Sequence, residues 1–265
     1  MKNIILFLLT ILAFASCSKP MSQYDRDITR AGQLMESSPD SALAILEAID
    51  PSDLSHDSLK AKLHYLRAYG HMKANRSMVG DSLIYFAHEY YRGKDLVKDI
   101  RSGTALAFYK FWVGDTKGSI AVLDSLVALP AVPDTLMAET LRYRVMLGAS
   151  EYRGNEIIPL AERLYEIETD SLRKLEAKYM LLAGYLYSGM TDSALQLNNE
   201  LIDCARNNKQ KEKQFIFTIE RAQLLSEAGR EYESDTLINK IFSMAGPDNE
   251  AADQLNFQRA INALN

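Results

Sequence analysis

An all-α solenoid of stacked helical hairpins is the fold class this sequence predicts, and three observations carry it. Apolar residues recur three and four apart over nearly everything after Tyr24, as at Leu43, Leu46 and Ile49, amid abundant Ala, Leu, Glu, Lys and Met. No stretch sustains the period-two alternation of β-branched residues that marks a strand. Breakers punctuate the pattern at a regular distance: Gly80, Gly114, Gly154, Gly189 and Gly229 fall 34, 40, 35 and 40 residues apart. A period of that size built from two helices is a repeat architecture, in which one hairpin cannot bury its apolar face alone and must stack on its neighbours.

The chain opens with a segment of another kind. Met1 and Lys2 precede an apolar run from Ile4 to Ala15, and Ser16-Cys17 follow. The run is too short for a hydrocarbon core of about 30 Å, which takes roughly 20 helical residues. One Lys, a short apolar stretch and small residues before a cleavage point mark a secretory signal peptide. Phe14-Ala15-Ser16-Cys17 resembles the lipobox of bacterial lipoproteins, in which the Cys thiol receives a diacylglycerol and becomes the mature N-terminus. Ala13-Phe14-Ala15 also fits an ordinary Ala-x-Ala site that would release a soluble secreted protein, but that reading leaves Cys17 without a role. The expected division is a signal peptide over 1–16, a lipidated N-terminus and linker over 17–24, and a helical repeat domain over 25–265. Ser18-Lys19-Pro20 lacks the acidic run that resembles a surface-export signal, so the expected address is the outer membrane, facing the periplasm.

Without residues 1–16 the chain carries 29 basic and 35 acidic side chains, a formal charge of −6. That balance argues against a nucleic-acid partner, which needs clustered basic charge to displace counterions. Beyond Cys17 the only cysteine is Cys204, so a lipidated Cys17 leaves no disulfide within one chain and stability rests on packing. Cys204 continues the apolar series Leu197, Leu201 and is expected to act as a small buried hydrophobe.

In chain order the breaks fall at Pro39, Pro51, Gly80, Gly114, Pro130 with Pro133, Gly154, Gly189, Gly229 and Gly246-Pro247. They leave helices of roughly 10–17 residues, which pair into antiparallel hairpins. After each glycine comes a polar step and then a helix with a small or apolar residue facing back: Leu83, Ser119, Ile157, Ala194 and Ser234. The clearest unit runs from Leu175 to Leu201, with Leu181 and Tyr185 in its first helix, Gly189 at the turn, and Ala194 and Leu201 in its second. Gly114, Ser119, Leu123 and Leu126 follow the same scheme, as do Ala222, Gly229, Ser234 and Ile241. These residues resemble tetratricopeptide repeats. The consensus Trp, the first small residue and the closing Pro are mostly missing, so the repeats are degenerate. The resemblance implies a right-handed superhelix of about six antiparallel hairpins. The lipobox followed by Pro39-Asp40-Ser41-Ala42-Leu43-Ala44-Ile45-Leu46 is also similar to tetratricopeptide lipoproteins common in the Bacteroidota. The tail, Asp253 to Asn265, carries Leu255, Ile261 and Leu264 and reads as a terminal helix covering the last hairpin.

Catalytic chemistry has one candidate. Gly80-Asp81-Ser82-Leu83 matches the serine motif of GDSL hydrolases and makes an envelope serine hydrolase using Ser82 the alternative function. That family has a strand before the motif and a distant downstream Asp-x-x-His; here Asn75 to Val79 is no strand, and the last histidine is His88, six residues on. The motif sits where Asp40-Ser41-Ala42-Leu43 and Asp192-Ser193-Ala194-Leu195 sit, at the start of a second helix, where Asp or Ser caps exposed amides. His64 and His71 share a helix face seven apart with no third ligand in evidence, so solvated or half-buried histidines are expected rather than zinc. Glu166 and Glu168 lie in a polar helical stretch. No metal, no cofactor and no enzyme activity is expected.

Asp followed by Ser or Thr and an aliphatic residue or Ala occurs eight times, with hydroxyls at Ser41, Ser58, Ser82, Ser125, Thr135, Ser171, Ser193 and Thr236. Six of these begin helices, where capping accounts for them; Asp124 and Asp235 fall inside helices, where it does not. The tripeptide resembles the acceptor motif of the general O-glycosylation system of Bacteroidota, so glycan at one or more of the eight is a second expectation. The tetratricopeptide resemblance implies a peptide or protein segment bound on a concave face lined by first helices. Aligned through Gly114, Gly154 and Gly189, the inward positions are Arg101, Phe108, Phe111, Trp112, Arg144, Tyr179, Leu186 and Tyr187. Of these, Arg101, Trp112, Arg144, Tyr179 and Tyr187 are the expected partner-binding set, Trp and Tyr beside Arg being the composition of binding hot spots. The aromatics could equally fill gaps between hairpins. The expected function is a non-enzymatic scaffold, lipid-anchored in the cell envelope, whose partner the sequence does not name.

Overall fold

The computed structural model describes residues 23–245 and, beyond them, Leu255, Asn256, Gln258, Arg259, Asn262 and Ala263. Cys17, the expected signal peptide and most of the expected linker lie outside the described residues. Among the described residues the regular structure is entirely helical, as expected: twelve α-helices and one 3-10 turn at Pro51–Asp53. The chain forms two compact units, Met1–Val113 and Gly114–Asn265.

The first unit holds α1 (Gln23–Leu34), α2 (Pro39–Glu47), α3 (Asp57–Lys73), α4 (Ile84–Tyr91) and α5 (Leu96–Trp112). Each packs on the next, and α1, α3 and α5 also meet one another in sequence, so the first helices of successive hairpins form one wall. Ile28, Leu43, Leu46, Leu63, Tyr69 and Ile84 are almost fully buried between them. Arg67 of α3 donates to the carbonyls of Leu46 and Ile49 at 2.8 and 2.6 Å, which ties α3 to the chain leaving α2. Leu83 does not face back as expected: it is exposed, because α4 starts one residue later, and Ile84 and Ala87 are buried in its place.

The second unit holds α6 (Thr116–Val127), α7 (Asp134–Ser150), α8 (Gly154–Ile167), α9 (Ser171–Tyr187), α10 (Thr191–Asn207), α11 (Lys211–Glu227) and α12 (Glu231–Ala245). Here too each helix packs on the next, and α7 also meets α9. Ser119, Ile157, Ala194 and Ser234 are fully buried at the hairpin contacts, where the sequence puts them. Leu175, Leu182, Leu201, Phe217 and Leu224 join α9, α10 and α11 in one apolar cluster, with Cys204 half-buried at its edge. In the tail, Leu255 is buried against Ile219, Ile238 and Ile241, and Asn262 donates to Asp235 at 2.7 Å, so this segment covers the last hairpin; Ile261 and Leu264 lie outside the described residues.

Capping is sparser than the sequence predicts. Of the six aspartates expected at helix starts, Asp170 is the one that caps, accepting from the amides of Leu172 and Arg173. Asp40, Asp57, Asp134 and Asp192 lie inside the first turn, where a negative charge meets the positive end of the helix dipole. Asp95 and Asp115 also cap their helices, accepting from the amides of Lys98 and Gly118.

The turns explain the unequal repeat lengths. After α9, Gly189 takes φ +69°, its amide bonds the Leu186 carbonyl at 3.0 Å, and the Met190 amide bonds Tyr185 at 2.9 Å, the two bonds of a left-handed helix stop. Gly229 does the same after α11. After α7 the residue in that conformation is not Gly154 but Tyr152, at φ +56°, with Arg153 bonding Gly148 and Tyr152 bonding Ala149. Gly154 opens α8 instead, where a Cβ would come within 2.5 Å of the Ser188 amide nitrogen and 2.6 Å of the Gly184 carbonyl oxygen.

Candidate functional groove

Three first helices of the second unit, α7, α9 and α11, enclose a groove of about 420 Å³. Val145, Met146 and Ala149 come from α7; Tyr179, Met180, Leu182, Ala183, Leu186 and Tyr187 from α9; Glu220, Gln223, Leu224 and Glu227 from α11. Counted back from the left-handed residue that ends each helix, the pattern is regular: Met146, Ala183 and Gln223 each lie six residues before it, and Tyr187 and Glu227 each lie two before it. A common stop therefore gives the three helices a common register, and one stripe of each faces the groove.

The lining is apolar with a polar side on α11. The Tyr179 hydroxyl donates to Glu220, and its ring lies 5.5 Å from that of Phe217. Tyr152 stacks edge-on against Tyr187 at 5.0 Å. Burial pushes the Glu220 carboxyl above the usual carboxylate range, a shift the Tyr179 hydrogen bond only partly offsets, and burial raises Glu227 as well. Burial and the Glu220 carboxylate together hold the Tyr179 hydroxyl well above its ordinary pKa.

The five expected binding residues separate. Tyr179 and Tyr187 line this groove, both about two-fifths exposed. Arg144 does not. It is 3 % exposed, and its guanidinium is spent on Asp124 at 2.6 Å and Glu156 at 3.0 Å. The reason is register: counting from Gly154 instead of Tyr152 shifts the alignment by two residues and selects a core position. Asp124, whose place inside a helix capping could not explain, is thereby a structural partner of Arg144, and Asp235 plays that part for Asn262. Arg101 and Trp112 belong to the first unit. Arg101 pairs with Glu36 at 3.4 Å and lies over the Tyr69 ring, while Trp112, at the end of α5, is 42 % exposed. Phe108 is half-buried and Phe111 exposed. Sequence reasoning missed Met146, Gln223, Glu220 and Glu227; the six-residue count back from Gly229 reaches Gln223, and it would have reached Met146 had residue 152 been a glycine.

Ser82 is exposed in the turn before α4. The neighbouring Asp81 carboxylate accepts from His71 Nδ1 at 2.7 Å, and the other nitrogen of that ring meets Glu47 at 3.3 Å. Both nitrogens of this ring are engaged by carboxylates, which leaves neither placed to accept a serine proton. His88 faces Ser102 and Asp99. Among the described residues, no three His, Cys, Asp or Glu side chains converge as a metal site, and no helix is long and apolar enough to cross a membrane. Of the eight Asp-Ser/Thr hydroxyls, that of Ser193 is half-buried and the other seven belong to exposed residues.

No family model and no curated protein matches the sequence. Solved structures match the fold. A putative kinesin light chain of Podosopora anserina with nearly identical TPR-like repeats aligns with a TM-score of 0.62 at 13 % identity, covering 74 % of this chain and 100 % of that one. The apo form of RapI aligns with a TM-score of 0.69 at 10 % identity, covering 92 % of this chain and 72 % of that one. At such identities the likeness is one of fold alone: the chain has a TPR-like helical repeat fold.

Proposed function

We propose that this protein is a non-enzymatic interaction scaffold, held at the bacterial cell envelope by lipid on Cys17, which binds a peptide or protein segment in the groove of its second unit. The observation that carries the reading is the groove itself: three helices in common register present an apolar, aromatic-walled channel with a few polar groups, the composition of a recognition site. Repeat folds use such surfaces for extended partners. Tyr187 is the expected anchor. In a pull-down from detergent-solubilised envelope, Tyr187→Ala should lose the specific partner, with affinity reduced by about 2 kcal/mol or more and the melting temperature nearly unchanged. Equal capture by both proteins would remove the groove from the account. Cys17→Ser should move the protein from the membrane to the soluble fraction; unchanged fractionation would mean that another segment or a partner holds it there. The exposed Asp-Ser/Thr hydroxyls are the places to seek O-glycan by mass spectrometry of the native protein.

A further inference from the structure

The groove has two charged side chains and both are acidic. Glu220 and Glu227 stand along α11, and no Lys or Arg lines the channel. One Glu220 oxygen accepts from Tyr179; the other, Oε2, is covered and has no hydrogen-bond partner. A covered acceptor without a donor is costly until a ligand supplies one. Across from these carboxylates lie the rings of Tyr179 and Tyr187, whose π electrons attract a cation, beside the apolar surface of Met146 and Leu186.

We propose that the groove recognises a peptide segment carrying a lysine or arginine next to an apolar residue, the cation lying between the two glutamates and the tyrosine rings and the apolar side chain against Met146 and Leu186. The inference deepens the scaffold reading and rests on it. Charge complementarity selects the occupant, since an acidic segment would bring its charge against two carboxylates with no basic residue in the lining to offset them. Arg144, which the sequence put in the partner-binding set, offers an acidic segment nothing, because it is already neutralised by the chain itself. Because burial raises both glutamates, a cation entering the groove favours their ionised forms and displaces protons, so binding tightens as pH rises. The titratable groups in the lining with Glu220 are Tyr179 and Tyr187 from α9 and Glu227 from its own helix, and α7 contributes none.

The test is selection of a phage-displayed random peptide library on the full chain in detergent micelles. Peptides enriched on the wild type and lost on Tyr187→Ala should share a Lys or Arg at fixed spacing from an apolar residue. Synthetic copies should bind at least tenfold more weakly to the Glu220→Gln, Glu227→Gln double variant and to the wild type at lower pH. Groove-dependent peptides that are acidic or indifferent to charge would overturn the cation while leaving the scaffold reading intact. Peptides selected equally by Tyr187→Ala, or none enriched at all, would overturn both. A dimer in sedimentation that Met146→Glu dissociates would name a second copy as the occupant and overturn the basic segment.

Discussion

His71 shows how one side chain ties three segments of the first unit. Its ring links α3 to Asp81 in the following turn and to Glu47 at the end of α2. The Asp81 hydrogen bond, joined by the attraction of both carboxylates, raises its pKa above the ordinary imidazole value against the opposing pull of burial. A folded-state pKa above the unfolded one means the stabilisation is fully present below the ordinary histidine pKa and is lost as pH rises through the raised value. Urea midpoints of the wild type and of His71→Gln should therefore converge as pH rises from below the ordinary histidine pKa through the raised value. A gap that stays constant would show that the ring's charge does not contribute. His88 shifts the other way, lowered chiefly by burial, although it too lies near a carboxylate. Two histidines on neighbouring helices thus differ through the closeness and number of their partners.

The helices depend on small residues where they approach one another. Ala194 is fully buried between α9 and α11, and an arginine there would place charge in the apolar cluster of Leu182, Leu201 and Leu224. Ala194→Arg should cost several kcal/mol in thermal or urea unfolding. Gly154 is tighter still, because the atoms facing its absent Cβ are largely backbone at the end of α9 and cannot rotate away. Gly154→Ala should destabilise by about 1–3 kcal/mol through displacement of α8. Unchanged melting of either variant would mean that the hairpins are looser than their burial implies.

At the scale of the molecule, contacts within each unit run between adjacent helices and between successive first helices. Stability in such a stack is close to a sum of hairpin and neighbour contributions, so damage stays local. Hydrogen exchange of Ala194→Arg should show lost protection in α9, α10 and α11 while α1 to α3 keep theirs. Uniform loss across all twelve helices would argue instead for one cooperative unit. The formal charge of −6 expected of the mature chain sets the background in which the acidic groove operates, and it favours basic over acidic partners in the encounter step.

Helical class, antiparallel pairing and the small or apolar buried positions Ser119, Ile157, Ala194 and Ser234 were legible in the sequence because they depend on local periodicity and on breakers, which residue types announce directly. Tyr179 and Tyr187 were legible for the same reason, since Gly189 sets the register of their helix. What only the tertiary structure decided was the register of α7 and the charge of the groove. Tyr152 occupies a backbone region that glycine normally marks, so the count began at the wrong residue and took Arg144 from the core. The charge of a groove is set by which helices lie side by side: Glu220 is forty-one residues from Tyr179 and receives its hydrogen bond, a proximity produced by stacking and carried by no local pattern.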